Sequence, residues 1–374
     1  MTAVQPNTPQ IIKKVSQTLD RTARLLSMST RQSRIIEVGA GYNPIAPKSD
    51  GWLTHVVDHA DQATLREKYA GADVDVNRIE SVDTVWHDGP LDQAIAPEWI
   101  GRFDTMIASH VLEHMPDMIT FLRSAERLLR PDGVIALALP DRRFCFDCLK
   151  PATTTGDILE AHRVGRVRHG VRTVWAHMAY STGVDGGLAW NSQATGTPRF
   201  LDTFGSAHAM VTDLKDDPSA PYVDFHCWYL TPASFALIML ELSQMGLVDW
   251  RVESVSPTEG FEFFAFLRRG GLRIADAESL QERRMQLMMD QLREQRVLID
   301  LLCGTTAAPA TPAPPVVEKV GDPEMKEVSG KLDRLLGMIE AQEPRMHEIA
   351  HSALLIRAAL TPVQKVWHRL TGRR

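Results

Sequence analysis

Cysteine is scarce in this chain, with four residues among 374, at positions 145, 148, 227 and 303. Their small number and irregular spacing do not match the dense disulfide frameworks of small secreted domains. A run of about 18 consecutive apolar residues, which a membrane-spanning helix requires, is also lacking. The first residues include neither the charged nor the apolar segment of a secretory leader. We therefore expect a cytoplasmic protein.

An excess of positive charge is also missing, because the formal net charge is −6 at pH 7. A chain with this balance has no overall basic field to attract nucleic acid, so we expect no nucleic-acid partner. Hydrophobic residues make up 44% of the chain and charged residues 24%, as in globular proteins with a buried core. The length predicts about two domains of ordinary size.

Strand-like and helix-like segments alternate from residue 34 to about residue 139. Residues 34–38 and 134–139 are apolar strand-like runs, and residues 118–129 carry apolar side chains on one face of a helix. Alternation of this kind predicts an α/β fold built on a doubly wound, mostly parallel sheet.

Composition divides the rest of the chain into segments. We predict an N-terminal tail and helix at 1–33, a main domain at 34–271 with an irregular acceptor lid at 141–226, a helix at 272–302, an Ala/Pro-rich linker at 303–322 and a helical segment at 323–374. Heptad spacing at Met285, Met288 and Leu292, and again at Leu332 and Leu335, fits a short coiled coil. Helices docked on their own domain would show the same spacing. The coiled coil predicts a homo-oligomer assembled through the C-terminal helices.

The last residues, 362–374, are basic and include Trp367. Such a segment can contact an anionic membrane surface, which would place the protein peripherally at the inner membrane. A frayed basic terminus is the commoner explanation.

A glycine-rich segment, Glu37-Val-Gly-Ala-Gly41-Tyr-Asn43-Pro44, follows the first predicted strand. Glycines at this position let the backbone approach a ligand closely. A nicotinamide-binding loop of the G-x-G-x-x-G type would need glycine at 44, where proline also removes an N–H group. The sequence therefore disfavours a nicotinamide dehydrogenase. If the chain were one, it would bind NAD and would not bind S-adenosylmethionine.

The same segment resembles motif I of class I S-adenosylmethionine-dependent methyltransferases of type 11. Asp58 follows Gly39 by 19 residues and is placed to accept hydrogen bonds from both ribose hydroxyls. Asp88 matches the position that contacts the adenine amine in that family. The resemblance implies a Rossmann-like, seven-stranded sheet and S-adenosyl-L-methionine as cofactor. It implies a cofactor site formed by Glu37, Gly39, Ala40, Gly41, Asn43, Asp58, His59, Asp88, Gly89, Ser109 and His110.

The stretch Ser109-His110-Val-Leu-Glu113-His114 is also similar to that family, in which the first histidine or its neighbour lies beside the cofactor. Its spacing matches an inverted zinc-protease pattern as well. That pattern requires a helix, whereas this stretch follows a buried strand and precedes a proline. We therefore predict no metal site.

Three further segments, at 138–147, 223–228 and 257–264, look like a bacterial subgroup often encoded beside surface-polysaccharide or glycosyltransferase functions. The resemblance implies methyl transfer to a small-molecule or glycan acceptor, with a hydroxyl as the nucleophile. An alternative is a catalytically vestigial scaffold that recruits partners through its coiled-coil tail.

Catalytic and acceptor-binding residues are predicted from their chemistry. A hydroxyl acceptor benefits from a general base, for which His110 and His226 are candidates, with Asp141 as an orienting or acceptor-binding group. The candidate acceptor-binding residues are Arg142, Arg143, Arg166 and Arg168. Arg166 and Arg168 belong to a basic run that can meet a phosphate or carboxylate, although such runs are more often solvated surface.

Overall fold

A computed structural model describes residues 21–304, with gaps at 185, 193, 195 and 215–221. Residues 21–25 are helical and agree with the predicted N-terminal helix. The predicted tail before them, the linker beyond residue 304, the second heptad run and the basic end all lie outside the described residues. None of the described helices is both long and apolar enough to cross a membrane.

The described strands form two sheets. In chain order they are β1 (Arg34–Val38), β2 (Leu53–Asp58), β3 (Thr84–Val85), β4 (Phe103–Ser109), β5 (Leu129–Pro140), β6 (Thr182–Val184), β7 (Pro198–Phe200), β8 (Trp250–Val255) and β9 (Glu262–Arg269). Seven of them make the main sheet in the order β3-β2-β1-β4-β5-β9-β8, and β6 pairs with β7. Strand β9 is antiparallel to both neighbours, whereas β1 to β5 are parallel. The predicted doubly wound, mostly parallel, seven-stranded sheet is confirmed.

The described helices are α1 (Gln62–Tyr69), α2 (Leu91–Ala94), α3 (Met118–Leu128), α4 (Thr155–Arg163), α5 (Val171–Tyr180), α6 (Phe204–Asp213), α7 (Pro232–Gln244) and α8 (Ala277–Cys303). Polar caps set where several of them begin. The Asp117 side chain accepts the Thr120 N–H at the start of α3, and Thr231 caps α7 just before Pro232. Caps of this kind each stabilise a helix by about 1 kcal/mol.

Both faces of the sheet are buried because the strand residues alternate between two apolar clusters. Ile36 and Ile135 pack on the side covered by α3 and α7, and Ile35 and Ala136 pack on the opposite side. Leu25, from the N-terminal helical residues, is buried in that second cluster. Full burial of a leucine or isoleucine side chain contributes about 1.5–3 kcal/mol, so these layers fix the strand ends against each other.

The segment 141–226, predicted as irregular, contains three described helices, α4 to α6, and the two strands of the small sheet. The prediction of irregular structure was therefore wrong for much of this segment. Local capping explains part of the difference, because Thr154 and Asp157 form a capping box that starts α4. These helices are only 9 or 10 residues long, which leaves a weak periodic signal in the sequence.

Helix α8 docks on the domain that precedes it. Arg284 pairs with Glu241 of α7 at 2.7 Å, and Leu287 and Leu298 are buried. The predicted seam residues Met285, Met288, Leu292 and Ile299 are instead exposed. Helix α8 therefore has one side packed on the domain and one exposed side with apolar residues. Homo-oligomer assembly through the C-terminal helices stays a prediction.

Candidate functional site

A cavity of about 590 Å³ opens where the parallel strands end. The order of the main sheet reverses between β1 and β4, and α/β sheets bind ligands in the crevice at such a point. The volume is within the usual range for small-molecule sites. Predicted cofactor residues that line it are Gly39, Gly41, Asp58, His59, Asp88, Gly89 and His110.

The loop after β1 depends on glycine at two positions. Gly39 has φ +71°, and a Cβ added there would lie 2.7 Å from Val111 Cγ2. Gly41 has φ +51°, and its N–H donates to Asp58 Oδ2 at 2.9 Å. Left-handed backbone and close approach both favour glycine, so the backbone of the loop itself forms part of the cavity surface.

Asp58 ends β2 with its carboxylate at the cavity wall. One oxygen accepts the Gly41 N–H, and the other accepts the backbone N–H of His59 at 2.8 Å and lies 2.7 Å from His59 Nδ1. Burial by itself raises the pKa of Asp58, but these hydrogen bonds from His59 and Gly41 lower it below its ordinary value. The group is therefore an ionised acceptor at neutral pH.

Glu37 has a different place from the one predicted, because its side chain is 2% exposed and does not line the cavity. Its two oxygens accept the backbone N–H groups of Ile45 at 2.6 Å and Ala46 at 3.0 Å. Glu37 therefore stabilises the end of the glycine loop through hydrogen bonds from the protein interior. Ala40 and Asn43 also belong to this loop without lining the cavity, and Asn43 N donates to Ala40 O at 3.1 Å.

The buried carboxyl of Glu37 predicts a pH dependence of stability. Burial raises its pKa from 4.5 to about 7, although the hydrogen bonds from Ile45 and Ala46 oppose the rise. A raised folded-state pKa means that the folded protein holds the proton more tightly than the unfolded chain. Its contribution is full below about pH 4.5 and is lost as the pH rises through about 7, a change of about 3 kcal/mol.

Urea unfolding of the natural chain and of Glu37→Gln, at several pH values between 4.5 and 7.5, measures this contribution. The unfolding free energy of the natural chain minus that of the variant should decrease as the pH rises, because the natural chain loses the contribution of protonated Glu37. Other titrating groups cancel in that difference. Parallel curves across the range would show that Glu37 does not titrate with a raised pKa.

Asp88 and Gly89 follow β3 and line the cavity beside Trp86. The Asp88 carboxylate is more than half exposed and accepts from Arg168 Nη2 at 3.0 Å. The Trp86 ring donates from Nε1 to the Asp88 carbonyl at 3.0 Å, which fixes an aromatic face at this end of the cavity. An aromatic wall with an adjacent carboxylate suits a purine ring.

His110 follows β4 and lines the cavity in an unusual backbone conformation. Among the described residues it is the one non-glycine residue with positive φ, at +54°. Its Nε2 lies 2.8 Å from Glu262 Oε2, and its Nδ1 lies 3.4 Å from Glu113 Oε1. Burial lowers its pKa, but the two carboxylates outweigh this and raise it to about 9. His110 is therefore a cation at neutral pH and cannot serve there as the predicted general base.

Ser109 lies beside the cavity wall rather than in it. Its Oγ accepts from Arg21, and the same guanidinium pairs with Glu262 at 2.8 Å. Arg21 thus connects the N-terminal helical residues to the group that holds His110. Sequence reasoning missed Arg21 and Glu262, which are 241 residues apart along the chain.

His226 is buried behind His114 and does not line the cavity. Its Nδ1 lies 2.6 Å from Asp147 Oδ2, and Asp147 also pairs with the fully buried Lys150 at 2.6 Å. The rings of His114 and His226 are 4.5 Å apart between centroids. The predicted role of His226 as a base acting directly on an acceptor in the cavity therefore has no support in its position.

Asp141, Arg142 and Arg143 are buried and lie outside the cavity lining. Asp141 forms a bidentate pair with Arg143, with Nε 2.9 Å from Oδ1 and Nη2 joined to Oδ2. Arg142 donates to the carbonyl of Cys148 at 3.1 Å and to Gln295 of α8 at 2.9 Å. The structure therefore gives these three predicted acceptor or catalytic residues a structural role, because Asp141 pairs with Arg143 and Arg142 donates to groups within the fold.

Arg166 and Arg168, from the turn after α4, do line the cavity as predicted. Arg168 pairs with Asp88 and lies over the Tyr222 ring at 5.9 Å. Arg166 is half-buried, and no hydrogen bond or ion pair joins its guanidinium to another described residue. These arginines place positive charge in the cavity wall, with Arg168 beside Asp88.

Several lining residues were not predicted from the sequence. Lys68 and Tyr69 come from the end of α1, and Tyr222 and Asp224 come from the segment before α7. Asp224 Oδ1 lies 2.8 Å from His114 Nδ1. No motif marks these side chains, because the fold brings them together from separate elements.

Residues 10–184 match a family model described as a methyltransferase domain. This part of the chain is similar to methyltransferase domains. The sheet order agrees with the Rossmann-like fold that the resemblance implied, and the cofactor is S-adenosylmethionine. A comparison with curated proteins found no match.

Solved structures with a similar fold include methyltransferases of low sequence identity. An S-adenosylmethionine-dependent methyltransferase from Mesorhizobium loti is 15% identical, with 66% of this chain and 95% of that chain covered and a TM-score of 0.34. The CcbJ methyltransferase from Streptomyces caelestis is 12% identical, with 68% and 95% covered and a TM-score of 0.36. The 1,6-didemethyltoxoflavin-N1-methyltransferase from Burkholderia thailandensis is 13% identical, with 73% and 93% covered and a TM-score of 0.33.

The residues around the cavity fit S-adenosylmethionine. Glycine at position 39 lets the backbone itself approach a ligand, whereas a side chain there would meet Val111. Asp58 presents an ionised carboxylate that accepts hydrogen bonds from the two hydroxyl groups of a ribose. Trp86 offers a flat apolar face. Asp58 would therefore hold the ribose, with Gly39 and Gly41 as the adjoining backbone and Trp86 and Asp88 at the adenine end.

Proposed function

We propose that this chain transfers the methyl group of S-adenosylmethionine to a hydroxyl of an anionic small-molecule or glycan acceptor in surface-polysaccharide assembly. The bound cofactor supplies a reactive methyl group on a sulfonium sulfur. The observation that carries the proposal is the positive charge that Arg166 and Arg168 bring to the cavity wall. Guanidinium groups bind phosphates and carboxylates through paired hydrogen bonds.

The protein's contribution to such a transfer is alignment of the two reactants and exclusion of water. The cavity wall also has an apolar part, which consists of Val111, Met115 and Phe121. Holding a nucleophile in line with the methyl group lowers the barrier by several kcal/mol without proton transfer to the leaving group. His110, as a cation held by Glu113 and Glu262, supplies fixed positive charge at this wall.

A labelled-methyl assay with a set of acceptors tests the proposal. The set contains uronic acids, sugar phosphates and nucleoside-diphosphate sugars, each with a neutral sugar of matched size. We expect methyl incorporation into anionic acceptors and little into their neutral counterparts. Cofactor binding without transfer to any of them would instead favour the alternative of a vestigial scaffold.

Substitution of Arg166 gives a sharper prediction. Arg166→Ala should raise the KM for an anionic acceptor by about 10- to 100-fold, because a hydrogen bond between charged groups contributes about 1.5–3 kcal/mol. The kcat should change by less than about threefold if the contact binds acceptor and transition state equally. Steady-state kinetics at saturating cofactor measure both values.

Arg163→Ala is the matched control, since Arg163 is exposed near the end of α4 and does not line the cavity. Its kinetics should equal those of the natural chain. An unchanged KM in the Arg166 variant would refute a role for this residue in acceptor binding.

A further inference from the structure

Three side chains meet behind the cavity wall around one buried carboxylate. Glu113 is fully buried in the short turn Leu112–His114 that follows β4. Its Oε1 lies 3.9 Å from Nε2 of His114 and 3.9 Å from Nε2 of His226. The donor atoms of these three residues all lie within 4.8 Å of one another. The fold has therefore brought two imidazole nitrogens and a carboxylate together from segments more than 100 residues apart.

The Glu113 carboxylate lacks ordinary partners. Both of its oxygens are buried, and neither forms a hydrogen bond with a described residue. His110 Nδ1 approaches Oε1 at 3.4 Å, the oxygen that His114 and His226 also face, and Oε2 is left unmatched. Burial of a carboxylate without hydrogen bonds costs several kcal/mol, and a further cation beside it would reduce that cost.

His226 is oriented as metal-binding histidines are, because its Nδ1 bonds to Asp147 at 2.6 Å. A carboxylate on one ring nitrogen places the proton there and leaves a lone pair on the other nitrogen, which here lies toward Glu113. His114 Nδ1 lies 2.8 Å from Asp224 without hydrogen-bond geometry, and its Nε2 also lies toward Glu113. A cation between these three groups would stabilise them together.

We infer that Glu113, His114 and His226 bind a divalent first-row transition-metal ion of the Zn²⁺ type. Two imidazoles and one carboxylate suit such ions, whereas Mg²⁺ and Ca²⁺ prefer oxygen ligands alone. Bonds of about 2.0–2.2 Å in tetrahedral geometry separate the donors by about 3.3–3.6 Å. The two pairs at 3.9 Å exceed this separation by a few tenths of an ångström, and the third pair lies within 4.8 Å.

This metal site differs from the inverted zinc-protease pattern considered for the sequence. His110 does not act as a ligand, because its two nitrogens face Glu113 and Glu262. The third ligand, His226, comes from the segment before α7, far outside the local motif. Sequence spacing predicted no metal site and does not reveal this cluster, because it depends on a residue 113 positions away, counted from Glu113 to His226.

The position of the site suggests its use, and this step rests on the proposed methyl transfer. His114 lines the cavity, so an ion bound to its Nε2 lies at the cavity wall with ligand positions left for water or an acceptor oxygen. Coordination would lower the pKa of a bound acceptor hydroxyl, so that its proton passes to water and its oxygen attacks the methyl group.

Titration of the full, chelator-treated chain with Co²⁺ tests the inference independently of activity. We expect one equivalent to bind, with the visible absorption of cobalt bound to nitrogen and oxygen ligands, and Zn²⁺ to displace it. Glu113→Gln and His226→Gln should each weaken binding by at least about 100-fold. This is beyond the 10- to 100-fold effect usual for groups that only orient a ligand.

His177→Gln is the matched control. The ring of His177 packs on Phe225, with 4.2 Å between centroids, and it is not among the three metal-binding residues. Its Co²⁺ affinity should equal that of the natural chain. Absence of stoichiometric Co²⁺ and Zn²⁺ binding by the natural chain would overturn the inference, whether or not the variants fold. Undiminished binding by folded Glu113→Gln would overturn it as well.

The same samples separate this inference from the proposed function. Titration with S-adenosylmethionine reports the cofactor site, which should keep its affinity within about threefold in His226→Gln because His226 does not line the cavity and Asp58 and the glycine loop are untouched. Metal binding without methyl transfer would refute the acceptor chemistry and leave the metal site established.

Discussion

Asp58→Ala should weaken S-adenosylmethionine binding by at least about 100-fold. The carboxylate is ionised, lies at the cavity wall and is held by Gly41 and His59 so that its oxygens are fixed in place. Two hydrogen bonds from ribose hydroxyls to a charged acceptor contribute about 1.5–3 kcal/mol each, and their loss accounts for this factor. Isothermal titration with the cofactor and with S-adenosylhomocysteine measures it.

Asp88→Ala serves as the comparison, because the Asp88 carboxylate is largely exposed and already paired with Arg168. Its loss should cost about tenfold or less. Unfolding curves for both variants exclude a general loss of structure. Equal cofactor affinity of Asp58→Ala and the natural chain would show that the ribose does not bind at this carboxylate.

Gly39→Ala should have the second-largest effect, on both stability and cofactor binding. At φ +71° an alanine is strained by about 1–2 kcal/mol, and its Cβ would also lie 2.7 Å from Val111 Cγ2. Overpacking against Val111 adds about 1–3 kcal/mol to this strain. The free energy of unfolding of the variant should therefore fall by about 2–5 kcal/mol. Because both residues line the cavity, we also expect at least about tenfold weaker cofactor binding.

Two further variants separate strain from overlap. Gly51 has φ +82°, and a Cβ added there would have no atom within 4 Å. Gly51→Ala therefore introduces the backbone strain without any steric overlap. Adding Val111→Ala to Gly39→Ala removes the overlapping methyl group and should recover part of the lost stability. If Gly39→Ala is no less stable than Gly51→Ala, close packing against Val111 does not explain the glycine.

Much of the fold follows from local patterns in the sequence. The β-branched run at Arg34–Val38 and the apolar run inside β5 are each strand-like over their own length, and α3 has its apolar residues on one face. Glycines between such elements mark the carboxyl edge of the sheet. The helices at 155–213 were not predicted, because each is short and partly exposed and depends on contacts with distant segments.

The candidate site divides in the same way. Gly39, Gly41 and Asp58 line the cavity as their motif positions implied, since strand ends and turns place them directly. Glu37 conforms to the motif in sequence but supports the loop from below. The pairing of Arg21 with Glu262 depends on the folded chain, so no spacing in the sequence could reveal it.

The charge of His110 likewise depends on long-range contacts. A histidine after a strand suggests a general base, and its local sequence contributes one acid, Glu113. The second acid, Glu262, comes from β9 and completes the environment that raises the pKa of His110 to about 9. A residue type and its neighbours in sequence therefore predict where a group lies better than whether it is charged.

A crystal structure of the full chain with S-adenosylhomocysteine would locate the bound cofactor. We expect the ligand in the cavity at the ends of β1, β2 and β4, with both ribose hydroxyls within hydrogen-bond distance of the Asp58 carboxylate and the adenine beside Trp86. A ligand bound elsewhere, or a ribose turned away from Asp58, would contradict this expectation.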